Sequence, residues 1–186
     1  MLVTIAICLL FSGCQKQSSM MQHAVTFRTE LLAAGGCSFS AALTVDYDES
    51  VSKFCLDCTH TCADGVLMCL TQPQTLQGIT ARMDESGGSV IFDDTQIALA
   101  DLADGNLAPM AVPYLLTKCW SESYISLSGS DDAYIRVTYL DGYDEKQLSI
   151  DTWFDETTGS PVYAEVSCDG KVLVRTEIMN FSFSKE

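Results

Sequence analysis

From Ser38 onward apolar and polar residues take turns along the chain. Phe39, Ala41, Leu43, Val45 and Tyr47 alternate with Ser38, Ser40, Ala42, Thr44 and Asp46. A period of two suits a strand that buries one face and wets the other, and it does not suit a helix. Phe54, Leu56 and Cys58 continue the alternation toward Cys62, and Ala63-Asp64-Gly65 then turns the chain into Val66 to Thr71. Further strands are expected at Thr75 to Met83, Ser89 to Phe92 and Gln96 to Leu99, with Gly87-Gly88 and Asp93-Asp94 as turns. The last third repeats the pattern at Ser123 to Ser128, Ala133 to Leu140, Lys146 to Phe154, Val162 to Cys168 and Lys171 to Ser184. Asp131-Asp132, Asp141-Gly142, Thr158-Gly159-Ser160-Pro161 and Asp169-Gly170 supply the turn residues between them. Short strands joined by tight turns can pair only with their neighbours in antiparallel fashion, so the frame is a long meander.

Two segments depart from this period. Ser19 and Gln22 form a capping box at the head of a helix. Met20, Ala24, Phe27, Leu31 and Ala34 then fall on one stripe, and Gly35-Gly36 ends the run. After a polar loop from Ala100 to Gly105, the stretch Leu107 to Trp120 is helical in pattern, with the helix itself placed at Pro113 to Cys119 because proline is tolerated only in the first turn. Both helices are amphipathic and must lay their apolar sides on the sheet. The fold class expected is α+β.

The chain opens with ten residues, Leu2 to Phe11, that are apolar apart from Thr4. That is too short to span a membrane, which takes about 20 residues, and fits the apolar core of an export signal. The sequence Phe11-Ser12-Gly13-Cys14 at its end resembles a bacterial lipobox, with Phe where Leu is usual. The resemblance implies cleavage before Cys14 and a lipid anchor (diacylglycerol and palmitate-type acyl chains) at that residue. No Lys or Arg precedes Cys14, so the basic start of the signal is expected upstream of Met1. Gln15 to Ser19 would be a tether of at most about 17 Å. The expected organisation is signal peptide 1–13, lipidated cysteine and tether 14–19, and one domain over 20–186, held at the outer, extracytoplasmic face of a cell membrane.

With 10 basic and 25 acidic residues, the chain carries a formal charge of −15. Such a surface repels nucleic acid and anionic headgroups. No Gly-x-Ser-x-Gly elbow, His-Glu-x-x-His helix, phosphate loop or dinucleotide loop is present. The two histidines, His23 and His60, offer no catalytic pair: His23 lies off the helical stripe and is expected in solvent, and His60 is expected as a hydrogen-bonded structural residue of a hairpin. Asp46, Asp48 and Ser50 imitate the start of a calcium loop, but Val51 stands where the sharp turn needs glycine. No catalytic residue, cofactor or nucleic-acid partner is therefore expected.

Beyond Cys8 and Cys14, seven cysteines remain: Cys37, Cys55, Cys58, Cys62, Cys69, Cys119 and Cys168. Cys55, Cys58, Cys62 and Cys69, with His60 between them, invite a zinc reading. The hairpin register decides it. A three-residue turn at Ala63-Asp64-Gly65 puts Val66, Met68 and Leu70 on the face of Leu56, Cys58, His60 and Cys62, and sends Cys69 to the other face with Cys55. A two-residue turn at Asp64-Gly65 would gather Cys58, His60, Cys62 and Cys69. The first register keeps the apolar residues together, so it is preferred and no metal is expected. Buried thiols, or a disulfide from this hairpin to Cys37, Cys119 or Cys168, are the alternatives left.

The order of elements, with Pro73 to Ala81 after the hairpin and the run Phe154-Asp155-Glu156-Thr157-Thr158-Gly159-Ser160-Pro161-Val162 as a late turn, resembles the LolA/LolB-like lipoprotein superfamily, including LppX-type lipoproteins. The resemblance implies an open antiparallel half-barrel whose concave face, lidded by the N-terminal and mid-chain helices, takes a lipid or acyl chain. Phe27, Leu31, Leu115, Leu116 and Trp120 are the residues expected to line such a site. The alternative is an envelope scaffold or interaction lipoprotein, not an enzyme, in which the same space is filled core. The anchor is testable apart from the fold. Cys14→Ala should abolish incorporation of a fatty-acid analogue, and undiminished labelling of the variant would refute acylation there.

Overall fold

The computed structural model describes residues 19–46, 50–92, 95–99, 102–103, 106–142 and 147–185. The proposed signal peptide, Cys14 and the tether as far as Ser18 lie outside the described residues, as do Tyr47, Asp48 and the Asp93-Asp94 turn.

Helix α1 covers residues 19–33. Its stripe is buried at Met20, Ala24, Phe27 and Leu31, whereas Ala34 falls past the helix end and is only half-buried. Gly35 takes a left-handed φ of +69°, as a helix C-terminus commonly requires. Gly36 follows with φ +153° and lies so close to the neighbouring strand that a Cβ there would sit 2.1 Å from the His60 carbonyl oxygen.

The strands are β1 (Gly36–Asp46), β2 (Val51–Thr61), β3 (Gly65–Gln72), β4 (Thr80–Asp84), β5 (Gly87–Phe92) and β6 (Thr95–Leu99). A two-residue pair, β7 (Leu102–Ala103) with β8 (Asn106–Leu107), leads to a 3-10 turn at Pro109–Ala111 and helix α2 (Val112–Ser121). The second meander is β9 (Tyr124–Asp131), β10 (Tyr134–Asp141), β11 (Leu148–Asp155), β12 (Pro161–Cys168) and β13 (Lys171–Phe183). All but β7 and β8 join one 11-stranded sheet in the order β6-β5-β4-β3-β2-β1-β13-β12-β11-β10-β9. Every described pairing in it is antiparallel, and β6 and β9 are its open edges.

Several sequence expectations are corrected. Thr75 to Met83 is not one strand: Pro73, with φ −70° and no N–H to donate, starts a 3-10 turn at Gln74–Leu76, and pairing resumes at Thr80. Gly87 and Gly88 belong to β5, and the turn before them is Glu85-Ser86, where Asp84 accepts the Ser86 N–H at 2.8 Å. The polar stretch 100–105 contains β7 rather than loop alone. Helix α2 runs further at both ends than Pro113 to Cys119.

The alternation read from the sequence is the alternation of burial. Cys37, Phe39, Ala41, Leu43 and Val45 of β1 are buried, as are Val66, Met68 and Leu70 of β3. Register carries these residues into rows across the sheet: Ser128, Val137, Thr152, Ala164, Thr176 and Leu43 stand side by side, and so do Tyr139, Ile150, Val166, Val174 and Val45. Both helices pack on this face. The β2–β3 hairpin pairs Thr61 with Gly65, His60 with Val66 and Cys58 with Met68. Its faces are those of the preferred register, although the turn is Cys62-Ala63-Asp64, one residue earlier than expected, and Cys62 is exposed in it. Cys69 pairs with Asp57 and points away from Cys58.

Gly36→Ala should destabilise the fold by about 2 kcal/mol or more, because the new methyl meets backbone on the facing strand. Gly129→Ala, where a Cβ meets nothing within 4 Å, is the control and should be near neutral. Urea unfolding of the two variants checks this; equal midpoints would show that the close approach at Gly36 does not exist.

Candidate functional site

The helix-covered face is built around two aromatic side chains. Phe27, from the middle of the α1 stripe, meets Phe154 at 4.8 Å between ring centroids, Phe181 and Phe183 at 5.6 Å each, and Trp120 at 5.9 Å. Trp120, in the last turn of α2, packs on Phe39 at 5.5 Å and donates its indole N–H to Thr152 Oγ1 at 3.1 Å. Thr152 stands in the row Ser128, Val137, Thr152, Ala164, Thr176 and Leu43, with Ala164 beside it. The small side chains of Thr152 and Ala164 leave room there for the largest side chain of the protein, whose single donor is satisfied on arrival.

All five residues expected to line a ligand site are brought together here. Phe27, Leu31, Leu115, Leu116 and Trp120 are each at most 3% exposed and belong to one continuous apolar core with both meanders.

Sequence reasoning missed the residue that fastens the two helices together. Arg28 donates to the backbone carbonyls of Cys119 at 3.0 Å, Trp120 at 2.9 Å and Ser123 at 2.7 Å. These are carbonyls at the C-terminal end of α2, which a cation both satisfies and favours electrostatically. A signal for it was present. Ala24, Phe27, Arg28 and Leu31 have the i, i+3, i+4, i+7 spacing of one helical face, so Arg28 is a cation on the edge of an apolar stripe. A guanidinium there needs a partner across the interface.

Three hydroxyls on this face, Ser128 Oγ, Tyr139 OH and Thr176 Oγ1, are buried and make no hydrogen bond among the described residues. Burial pushes the Tyr139 phenol well above its usual range. Among the described cysteines all seven are free thiols. Burial, with Cys62 nearby, raises the Cys37 thiol to about 12, and burial raises Cys119 to about 12 and Cys58 higher still. A buried thiol held in its neutral form is a poor nucleophile and packs as a small apolar side chain.

The histidines differ from expectation. His23 is half-buried, its ring edge-on to Phe154 at 5.6 Å, because the turn after β11 folds over this side of α1. His60 is buried, but its Nδ1 has no hydrogen-bond partner within the protein. It borders a hollow of about 520 Å³, open to solvent, which runs between α2 and the β2–β3 and β4–β5 turns past Cys62, Asp64, Asp84, Lys118 and Glu122. Lys118 is already paired with Asp141 at 2.9 Å. This hollow is polar and lies off the aromatic centre.

A second organised cluster lies on the opposite face, away from α1 and α2. The half-buried Trp153 of β11 donates its indole N–H to Asp131 at 2.7 Å, meets Tyr163 at 5.2 Å, and carries the Arg136 guanidinium 5.1 Å from its ring centroid. Arg136 is held in turn by Asp151 at 2.7 Å, and Arg175 by Glu165 at 3.1 Å.

No family model and no curated protein matches the chain. Among solved structures it is similar to a LolA superfamily protein of Nitrosomonas europaea (11% identity, 92% of this chain and 94% of that one, TM-score 0.45). It is also similar to a putative outer membrane lipoprotein-sorting protein domain of Vibrio parahaemolyticus (10% identity, 87% and 91%, TM-score 0.49). The lipoprotein LppX of Mycobacterium tuberculosis is a third (13% identity, 88% and 97%, TM-score 0.42). Among the described residues no helix is long and apolar enough to cross a membrane.

Burial holds both imidazoles below their ordinary pKa of 6.5. Between 6.5 and the lower folded values the unfolded chain binds more protons than the folded one, so stability falls as pH drops through this window. The urea midpoint should therefore be lower at about pH 5.5 than at about pH 7.5, a range above carboxylate titration. The double variant His23→Gln/His60→Gln should flatten the difference. An equal slope in both proteins would show that the histidines are not its source.

Proposed function

We propose that this chain is an extracytoplasmic lipoprotein, anchored at the outer face of a cell membrane through an acylated Cys14, whose domain over residues 20–186 binds other envelope components without catalysing a reaction. Residues 1–13 would be removed as signal peptide, and residues 14–19 would tether the domain close to the lipid. The observation that carries the interaction reading is the burial of Phe27, Leu31, Leu115, Leu116 and Trp120 in one core. With the inner face taken up by these side chains on this reading, the outer surface is where partners meet the protein.

A second reading has its own support. A half-barrel of this size could take an acyl chain or other hydrophobic ligand if α1 and α2 lifted away from its inner face. Ser128, Tyr139 and Thr176 already bury unpartnered hydroxyls there, each a cost that a closed core has no need to keep. Among the described residues the polar contacts that secure the helices include three from Arg28, one from Trp120 and the Lys118–Asp141 pair.

One experiment separates the two. On the interaction reading, the neutral apolar dye N-phenyl-1-naphthylamine should show no saturable binding to the folded protein, and Leu115→Gln should cost about 2–5 kcal/mol of stability, as loss of a packed leucine does. Saturable dye binding that Leu115→Gln weakens, with stability changed by less than about 1 kcal/mol, would overturn it in favour of a ligand cavity.

A further inference from the structure

The cluster around Trp153 is not explained by folding alone. Trp, Tyr and Arg are the residues that carry most binding energy at protein interfaces. Here they are fixed before any partner arrives. Asp131 holds the Trp153 indole N–H at 2.7 Å, Arg136 covers the ring at 5.1 Å, Tyr163 abuts it at 5.2 Å, and Tyr163 donates its hydroxyl to Glu165 at 3.1 Å. Preorganised side chains on strands lose little entropy when they bind.

Beside the indole is a hollow of about 470 Å³ lined by Asp131, Asp132, Tyr134, Trp153, Val162 and Tyr163. Its two charges are both negative. Arg136 does not line it, and the charge of Arg136 is already met by Asp151 at 2.7 Å. Asp132 is exposed and sits at the β9–β10 turn with φ +53°, a conformation that aspartate tolerates, which places its carboxylate at the rim. Aromatic walls with two carboxylates attract a cation through both the ring quadrupole and the charge, and the chain's −15 strengthens the field. That a guanidinium can lie on this indole is visible in Arg136 itself.

We propose that this outer face docks a partner protein by taking one of its basic side chains, an arginine or lysine, into the hollow between Trp153, Tyr163 and the Asp131 and Asp132 carboxylates. The proposal rests on the interaction reading above and names the chemistry of the partner it needs.

The two tryptophans of the chain provide the readout, since Trp120 is buried in the core and Trp153 borders the hollow. The intact protein, labelled with 15N-tryptophan and kept in a non-ionic detergent, is titrated with N-acetyl-arginine methylamide. The Trp153 indole N–H resonance should shift saturably while that of Trp120 stays still, and the uncharged N-acetyl-norleucine methylamide should bind at least five-fold more weakly. Asp132→Asn, which keeps a residue suited to the left-handed turn, should weaken arginine binding at least five-fold without moving the unfolding midpoint. No shift, an equal response to the norleucine compound, or unchanged binding by Asp132→Asn would overturn the proposal. A ten-fold preference for choline over the arginine compound would also overturn it, by making the occupant a lipid headgroup. The two readings fail separately. Saturable uptake of the apolar dye would end the interaction reading without moving the Trp153 resonance, whereas a silent Trp153 with no dye uptake would end only this site.

Discussion

The pairing of β1 with β13 makes one sheet out of two. Each meander is local, strand beside next strand, and needs no distant contact to form. Only the ladder from Cys37↔Phe183 to Val45↔Val174 joins the first strand to the last, across a loop of nearly the whole domain. Closing such a loop costs entropy that grows slowly with length, and the ladder's hydrogen bonds and the buried rows on either side must repay it. The aromatic centre depends on that closure. Phe27 and Trp120 reach Phe39 from one meander and Phe154 and Phe181 from the other, so they bridge the seam. Neither half would present this surface by itself.

The helices are fixed by the same seam, and in a definite order of consequence. Gly36 lets the chain leave α1 and enter β1 directly over His60, which sets α1 on the sheet face. That position brings Arg28 to the end of α2, where its fork meets three carbonyls. The last turn of α2 then delivers Trp120 to Thr152. A guanidinium bonded to carbonyls in a half-buried interface contributes more than a surface ion pair, because its donors are satisfied where water is scarce. Trp120 and Arg28 are thus parts of one fastening.

Strand parity was legible in the sequence because one face is buried along almost every strand. A slip of one residue would expose Phe39, Leu43, Met68 and Val174 together, and the alternation itself encodes that penalty. The β2–β3 faces could be assigned for the same reason, even with the turn misplaced by a residue. What alternation does not encode is the partner of a polar side chain. His60 obeys the parity of Cys58 and lies buried, yet its Nδ1 has no partner, which nothing local in the sequence reveals. Arg28 was readable as an anomaly but not as a cap, since the carbonyls it meets are more than 90 residues away. Trp153 was missed for the opposite reason. It occupies a position that parity assigns to the solvent side, between buried Thr152 and Phe154, and a period-two reading predicts a polar residue there.

That violation distinguishes the two faces of the sheet. On the inner face, aromatic side chains obey the pattern and are fully accounted for by packing against one another. On the outer face, Trp153 and Tyr163 break the pattern and have to be stabilised by charged neighbours, Asp131, Arg136, Asp151 and Glu165. A chain with 25 acidic residues and 10 basic ones has few cations to place, and it spends Arg136 on a tryptophan at the surface. A smaller polar residue at position 153 would keep the ladder and need none of these contacts. Local rules broken at a cost mark the places where folding is not the only requirement, and Trp153 meets that criterion, which is what supports the recognition role proposed for the outer face.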